Sequence, residues 1–195
     1  MLGMELDAAR LEDALTTLGA VLESRGHHLE VVAIGGGSLL LLGLLRRPTK
    51  DIDIVAVIDA RGLMSAEPLP QALREACADI ASTLGLAEDW MNPGPTSLLE
   101  FGLPDGFAGR TTRRDFGGLG LHLAGRFDQI CFKFYAAVDQ GPRSKHAQDL
   151  SKLDPTPDEL RAAATWARTH DPSDGFREMS RQALAALGVE ESDAK

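Results

Sequence analysis

Leu11, Leu15, Leu18 and Leu22 recur at steps of four, three and four residues, which places them on one face of an amphipathic helix. Gly26 is the expected stop for that helix. The run LEVVAI at residues 29–34 is short, β-branched and almost continuously apolar, the pattern of a strand buried on both faces. A Gly35-Gly36-Gly37-Ser38 turn follows, then a short buried helix over 39–45 that Pro48 ends. Residues 51–58, DIDIVAVI, form the second expected strand. Asp51 and Asp53 alternate there with Ile52 and Ile54, so both carboxylates are expected on one face and the isoleucines on the other.

Leu73, Cys77, Ile80 and Leu84 mark the apolar side of a helix over 70–84. A Pro/Gly loop over 90–95 leads to an expected strand over 97–101, SLLEF. The Gly- and Arg-rich stretch 102–118 reads as a long mobile loop before a weaker strand at 119–123. From Arg126 the period turns helical, with Phe127, Ile130, Cys131, Phe134 and Val138 on one face. A short helix over 144–153 follows. Thr156-Pro157-Asp158-Glu159 is a capping box that opens a helix to about residue 170. Phe176, Met179, Ala183 and Leu187 mark a last helix, closed by Gly188. The order of helix, mixed sheet and helical final third predicts an α+β fold. A core over 1–125 and a helical part over 126–195, packed on it, are expected.

With 195 residues, 44% of them hydrophobic, the chain can bury roughly 70% of its unfolded surface without disulfides or a structural metal. Cys77 and Cys131 lie in apolar helical patterns and read as buried free thiols of a reducing compartment. The longest apolar run, residues 34–45, is too short to span a bilayer, and no basic region followed by an apolar core opens the chain. A cytoplasmic protein without a membrane partner is expected. Twenty basic against twenty-nine acidic residues give a net charge of −9, which argues against broad non-specific binding to nucleic acid. Three basic clusters could still converge into a local positive rim for a phosphate-bearing substrate. They are Arg46, Arg47 and Lys50; Arg110, Arg113 and Arg114; and Arg143, Lys145 and His146. His122 and His170 have no supporting neighbours and receive no role.

The chemistry concentrates in residues 34–55, IGGGSLLLLGLLRRPTKDIDIV. Glycines let backbone N–H groups approach an anion closely. Two carboxylates about 6–7 Å apart on one strand face can share hard divalent cations such as Mg²⁺. Together they would hold a metal–triphosphate unit beside the glycine turn. Either motif alone is weak; the combination is stronger, because the strand carrying the acids is otherwise apolar.

At these residues the sequence resembles the nucleotidyltransferase superfamily that includes polymerase beta, marked by a Gly-Gly or Gly-Ser turn, a short helix and Asp-h-Asp-h on the next strand. Fourteen residues, 37–50, separate Gly36 from Asp51 here. GGGSLLLLG followed by RRPTKDIDI is similar, more closely, to the bacterial AbiEii-type nucleotidyltransferases of abortive-infection and toxin–antitoxin operons. That branch carries Arg-x-Thr before the acids, matched by Arg47-Pro48-Thr49. Asp89-Trp90-Met91-Asn92 resembles another element of the branch, and so do 132–137 (FKFYAA) and 145–150 (KHAQDL).

The resemblance implies a polymerase beta-like core, a mixed sheet with flanking helices, followed by a helical C-terminal region. It implies Asp51 and Asp53 as catalytic metal ligands for Mg²⁺, and Gly36, Gly37, Ser38, Arg47 and Thr49 around an NTP such as ATP. Lys133 and Asp149 are nominated to complete the site, although Lys133 lies off the main apolar stripe of its helix, the ordinary setting of a solvated lysine. Glu100, on the expected strand SLLEF, is the other candidate for a third carboxylate. The activity implied is transfer of a nucleoside monophosphate to an acceptor, tRNA or a protein, by a toxin with a cognate antitoxin. Adenylylation of a small molecule such as an aminoglycoside and a non-catalytic nucleotide-binding module are the alternatives.

Overall fold

The structure, a computed structural model, describes residues 5–190. Among these the fold is α+β, with a mixed sheet and eight α-helices. The chain divides into two units. One comprises the residues up to Glu100 together with Ala108–Ala124; the other comprises Phe101–Phe107 and the chain from Gly125 onward.

In the first unit α1 (Ala8–Ser24) is capped by the Asp7 carboxylate, which accepts from the Arg10 N–H at 2.9 Å, and Gly26 at φ +74° turns the chain out of it. Then come β1 (Leu29–Ile34), α2 (Gly35–Leu41), β2 (Ile52–Asp59), β3 (Gly62–Met64), α3 (Gln71–Leu84) and β4 (Met91–Asn92). Strands β5 (Thr112–Asp115) and β6 (Leu119–Leu123) complete the sheet, whose order is β3-β2-β1-β6-β5, with β4 also on β2. Central β1 runs antiparallel to β2 and parallel to β6. Leu11, Leu15, Leu18 and Leu22 join Leu73 and Ile80 of α3 in one core with Val31, Ala33, Ile54, Leu121 and Leu123 of the sheet. The alternation therefore sends Ile34, Val32 and Glu30 to the opposite face, with their cross-strand partners Asp53 and Gly120, and His122 beside Arg113.

Four segments differ from the sequence expectations. The glycines do not form a turn ahead of a helix. Gly35, at φ +73°, makes the corner alone, so α2 starts at Gly35 and includes the other glycines and Ser38. Gly43, at φ +70°, ends the helical stretch well before Pro48. Residues 97–101 are a helix, α4 (Ser97–Phe101), not a strand; SLLEF has no β-branched residue, and Leu and Glu are good helix formers. The expected loop 102–118 contains a 3₁₀ turn at Phe107–Arg110 and the edge strand β5, whose sequence TRRD hides it from any apolar pattern. The loop over 90–95 contains β4, whose residues pair with Ile52 and Asp53.

The second unit is built on α5 (Arg126–Gln140), against which α6 (Lys145–Lys152), α7 (Pro157–His170) and α8 (Asp174–Ala186) pack. The capping box at Thr156 and Glu159 is formed at both ends. Arg126 donates to the Leu153 and Asp154 carbonyls and pairs with Glu159 at 2.5 Å, fixing the α6–α7 connection to α5. Phe132, Tyr135, Trp166, His170 and Phe176 form an aromatic cluster. Among the described residues no helix is long and apolar enough to cross a membrane.

Candidate active site

Within the first unit the sequence brings the corner before α2, the start of β2 and the preceding loop to one place. A β-carbon at Gly35 would land on the Asp53 carboxylate, so this position requires glycine both for its left-handed φ and for that close approach. At Gly37 a β-carbon would lie 3.0 Å from the Asp51 carbonyl oxygen and 3.1 Å from the Ile52 α-carbon. The first turn of α2 is thereby seated on the start of β2. At Gly36 the nearest atoms would be Thr49 Oγ1 at 3.4 Å and Arg47 Nη2 at 3.5 Å. Ser38 is fully buried beneath this turn.

Thr49 is pinned from both sides of its backbone. Its N–H and C=O pair with Leu6 at 2.9 and 2.7 Å, and its hydroxyl faces the Asp51 carbonyl oxygen at 3.1 Å and the Asp51 carboxylate at 3.3 Å. On the other side, the Asn92 side-chain amide donates to Asp53 Oδ1 at 3.2 Å. Gly36, Gly37, Ser38, Arg47, Thr49, Asp51 and Asp53, singled out from the sequence, thus belong to one cluster. Gly35 and Leu6 were missed, and Asn92 entered only as part of the resemblance over 89–92, without a role in the site. A glycine directly after a strand signals Gly35, and Asn-Pro-Gly is a turn signal for Asn92; nothing local marks Leu6.

Lys133 and Asp149 belong to the second unit, where they pair with each other: Lys133 Nζ lies 2.9 Å from Asp149 Oδ2, with side chains 4% and 0% exposed. The solvated setting ordinary for a lysine off the apolar stripe does not hold here, because α5 is buried on more than that stripe; Asp128 and Gln129, about one turn earlier, are buried as well. Glu100 is exposed on α4 and does not lie on a strand.

The basic loop also differs from expectation. Arg113 pairs with Glu30 at 2.8 Å and Asp115 at 2.9 Å, while Arg114 pairs with Glu12 at 2.7 Å and stands over the Phe116 ring. These ion pairs tie the edge strand to its neighbours and to α1. His122 Nε2 lies 2.7 Å from Glu30 Oε2, and a β-carbon at Gly120 would collide with that carboxylate. Arg113 holds the Glu30 carboxyl below its usual range, against the opposing effect of burial and with further help from His122. His170 donates from Nε2 to the Gly102 carbonyl at 2.9 Å, and burial lowers its pKa.

Cys77 and Cys131 are buried and form no disulfide, and desolvation pushes the Cys77 thiol up to about 12. No group of three or more His, Cys, Asp or Glu side chains is gathered at one point among the described residues. Set beside known proteins, the chain matches no family model, no curated protein and no solved structure.

Proposed function

We propose that this chain is a nucleotidyltransferase of the polymerase beta type, transferring a nucleoside monophosphate from an NTP to an acceptor. The observation that carries the reading is the meeting of Asp51 and Asp53 with the first turn of α2: a glycine corner against one carboxylate and a Thr49 hydroxyl against the other. The Asp51 and Asp53 carboxylates are hard oxygen donors of the kind that would hold Mg²⁺. Bound there, Mg²⁺ would neutralise triphosphate charge and align the attacking and leaving oxygens. Gly36 and Gly37 would let the triphosphate approach backbone N–H groups, and the Arg47 guanidinium beside Gly36 would meet its charge. An acceptor oxygen would then bond to the α-phosphorus as the bond to the departing pyrophosphate breaks. Roles for Lys133 and Asp149, a tRNA acceptor, a toxin function and an antitoxin partner rest on the resemblance alone.

The pairing of Arg113 and Arg114 with acids of their own unit favours a second reading of the acceptor. With two guanidiniums of that loop already engaged, a small hydroxylated molecule is as well suited as RNA. The test supplies purified protein with each α-labelled NTP, Mg²⁺ and either total RNA or a panel of aminoglycosides. Label on RNA supports the first acceptor, and label on an aminoglycoside the second. Asp51→Asn and Asp53→Asn should each abolish transfer with unchanged circular dichroism. Transfer that survives in both variants would sink the reading.

A further inference from the structure

Asn92 has two side-chain contacts, and together they settle which way its amide points. Its Oδ1 accepts from the Gly94 N–H at 2.9 Å, so its Nδ2 is the end that faces Asp53 Oδ1 at 3.2 Å. The backbone around it is anchored on both sides. Ile52 donates to the Trp90 carbonyl at 2.7 Å, and the indole of fully buried Trp90 donates to the Cys77 carbonyl at 3.1 Å. Four residues later the buried Thr96 hydroxyl donates to the Val55 carbonyl at 2.9 Å and accepts from the Ala66 N–H at 2.8 Å. Asn92 is therefore carried on a segment clamped to the edge of β2, in register with the residue it touches.

On this geometry we propose that Asn92 is a positioning residue: its side-chain amide holds the Asp53 carboxylate, opposite Gly35, in the orientation that takes a divalent cation. The donor is neutral, so it restricts the carboxylate without adding a charge that would compete with the cation. Outer hydrogen-bond partners of metal-binding carboxylates commonly contribute 10–100-fold in metal affinity. The inference rests on the reading of Asp51 and Asp53 as cation ligands, and the experiment separates the two.

Asn92→Asp is the decisive variant. Aspartate accepts the Gly94 N–H as asparagine does and forms the same turn. In place of the donor, however, it sets a carboxylate against Asp53. If Asn92 only shapes the turn, Asn92→Asp behaves as wild type; if it positions Asp53, the variant fails. Mn²⁺ binding, followed by the loss of free-Mn²⁺ electron paramagnetic resonance without nucleotide or acceptor, should weaken about tenfold or more in Asn92→Asp and Asn92→Leu. Urea midpoints should show that Asn92→Asp remains folded. Equal or tighter Mn²⁺ binding by folded Asn92→Asp overturns the proposal.

A second arm needs no metal. The Asn92 side-chain amide protons, assigned by ¹⁵N NMR, should shift upfield in Asp53→Ala and stay in place in Asp51→Ala. An unmoved resonance in Asp53→Ala also overturns the proposal. Wild-type protein that binds no Mn²⁺ refutes the cation role given to Asp53, and with it the purpose assigned to Asn92. Binding by wild type and Asn92→Asp alike refutes the role of Asn92 alone.

Discussion

The three glycines that open α2 should respond to alanine in different ways, although the sequence presents them as equivalent. Gly35→Ala puts a side chain at φ +73°, where an L-residue costs about 1–2 kcal/mol. It also drives the new carbon into the Asp53 carboxylate, and overpacking of that kind adds about 1–3 kcal/mol. The gain from a less flexible unfolded chain returns only about 0.4–1 kcal/mol. The net loss is about 1–5 kcal/mol. Gly37→Ala meets backbone of β2 at 3.0 and 3.1 Å, which cannot rotate away, so it too should lose at least about 1 kcal/mol. Gly36→Ala has ordinary contacts and no positive φ, and should be neutral or up to about 1 kcal/mol more stable. Urea unfolding followed by Trp90 fluorescence, in a Trp166→Phe background, reads the unit that contains α2 directly. Each kcal/mol corresponds to about 2–4 °C in Tm for a chain of this size. Gly35→Ala as stable as wild type, or Gly36→Ala as the least stable of the three, would refute the assignment of these positions.

Removing the ammonium in Lys133→Met takes the paired cation from buried Asp149 and should cost about 3–5 kcal/mol, while Lys133→Met/Asp149→Leu should recover most of it. Equal stability of the single and double variants in urea would show that the two groups are not coupled. Because the Glu30 carboxyl is depressed in the folded state, its pairing stabilises above the unfolded value near 4.5 and is lost as pH falls through the folded value. Arg113→Ala should flatten that acid limb by less than about 1 kcal/mol, since both partners are more than a third exposed; an unchanged limb refutes it. Cys77, raised to about 12 by burial, should react with a thiol reagent at pH 8 far more slowly in the native protein than in urea, and rapid native labelling would contradict that burial.

Elements whose pattern is set by their own burial were legible. Helix α1 shows four leucines on one face because that face meets the sheet, and the Thr156 capping box needs only neighbours in sequence to form. The cluster around Asp51 and Asp53 could be read for the same reason, since strand, glycines, arginine and threonine fall within one short stretch. What escaped depends on partners distant in the chain. The TRRD strand is recognisable only from its pairing with β6 and from Glu30 and Glu12, and Lys133 only from Asp149, sixteen residues on. Residues 97–101 failed differently: five residues with two leucines fit either period, and helix propensity decided where alternation could not.

Three consecutive glycines are a poor way to begin a helix, each about 1 kcal/mol worse than alanine. Two of them have a reason in the fold: Gly35 turns the corner against Asp53, and Gly37 seats the helix on β2. Gly36 has none. A β-carbon there would stand between Thr49 Oγ1 and Arg47 Nη2 without disturbing either, in the same cluster as the two acids. A glycine the fold does not need, beside an arginine and within a helix's first turn, is what close approach by a phosphate requires. Gly36→Ala should therefore keep its stability yet bind NTP more weakly, and Gly36→Val more weakly still. Equilibrium dialysis with labelled ATP and Mg²⁺, set against the urea midpoints, separates the two effects. Unchanged affinity in a stable Gly36→Val would remove Gly36 from the nucleotide site and leave the glycine run with only its structural use.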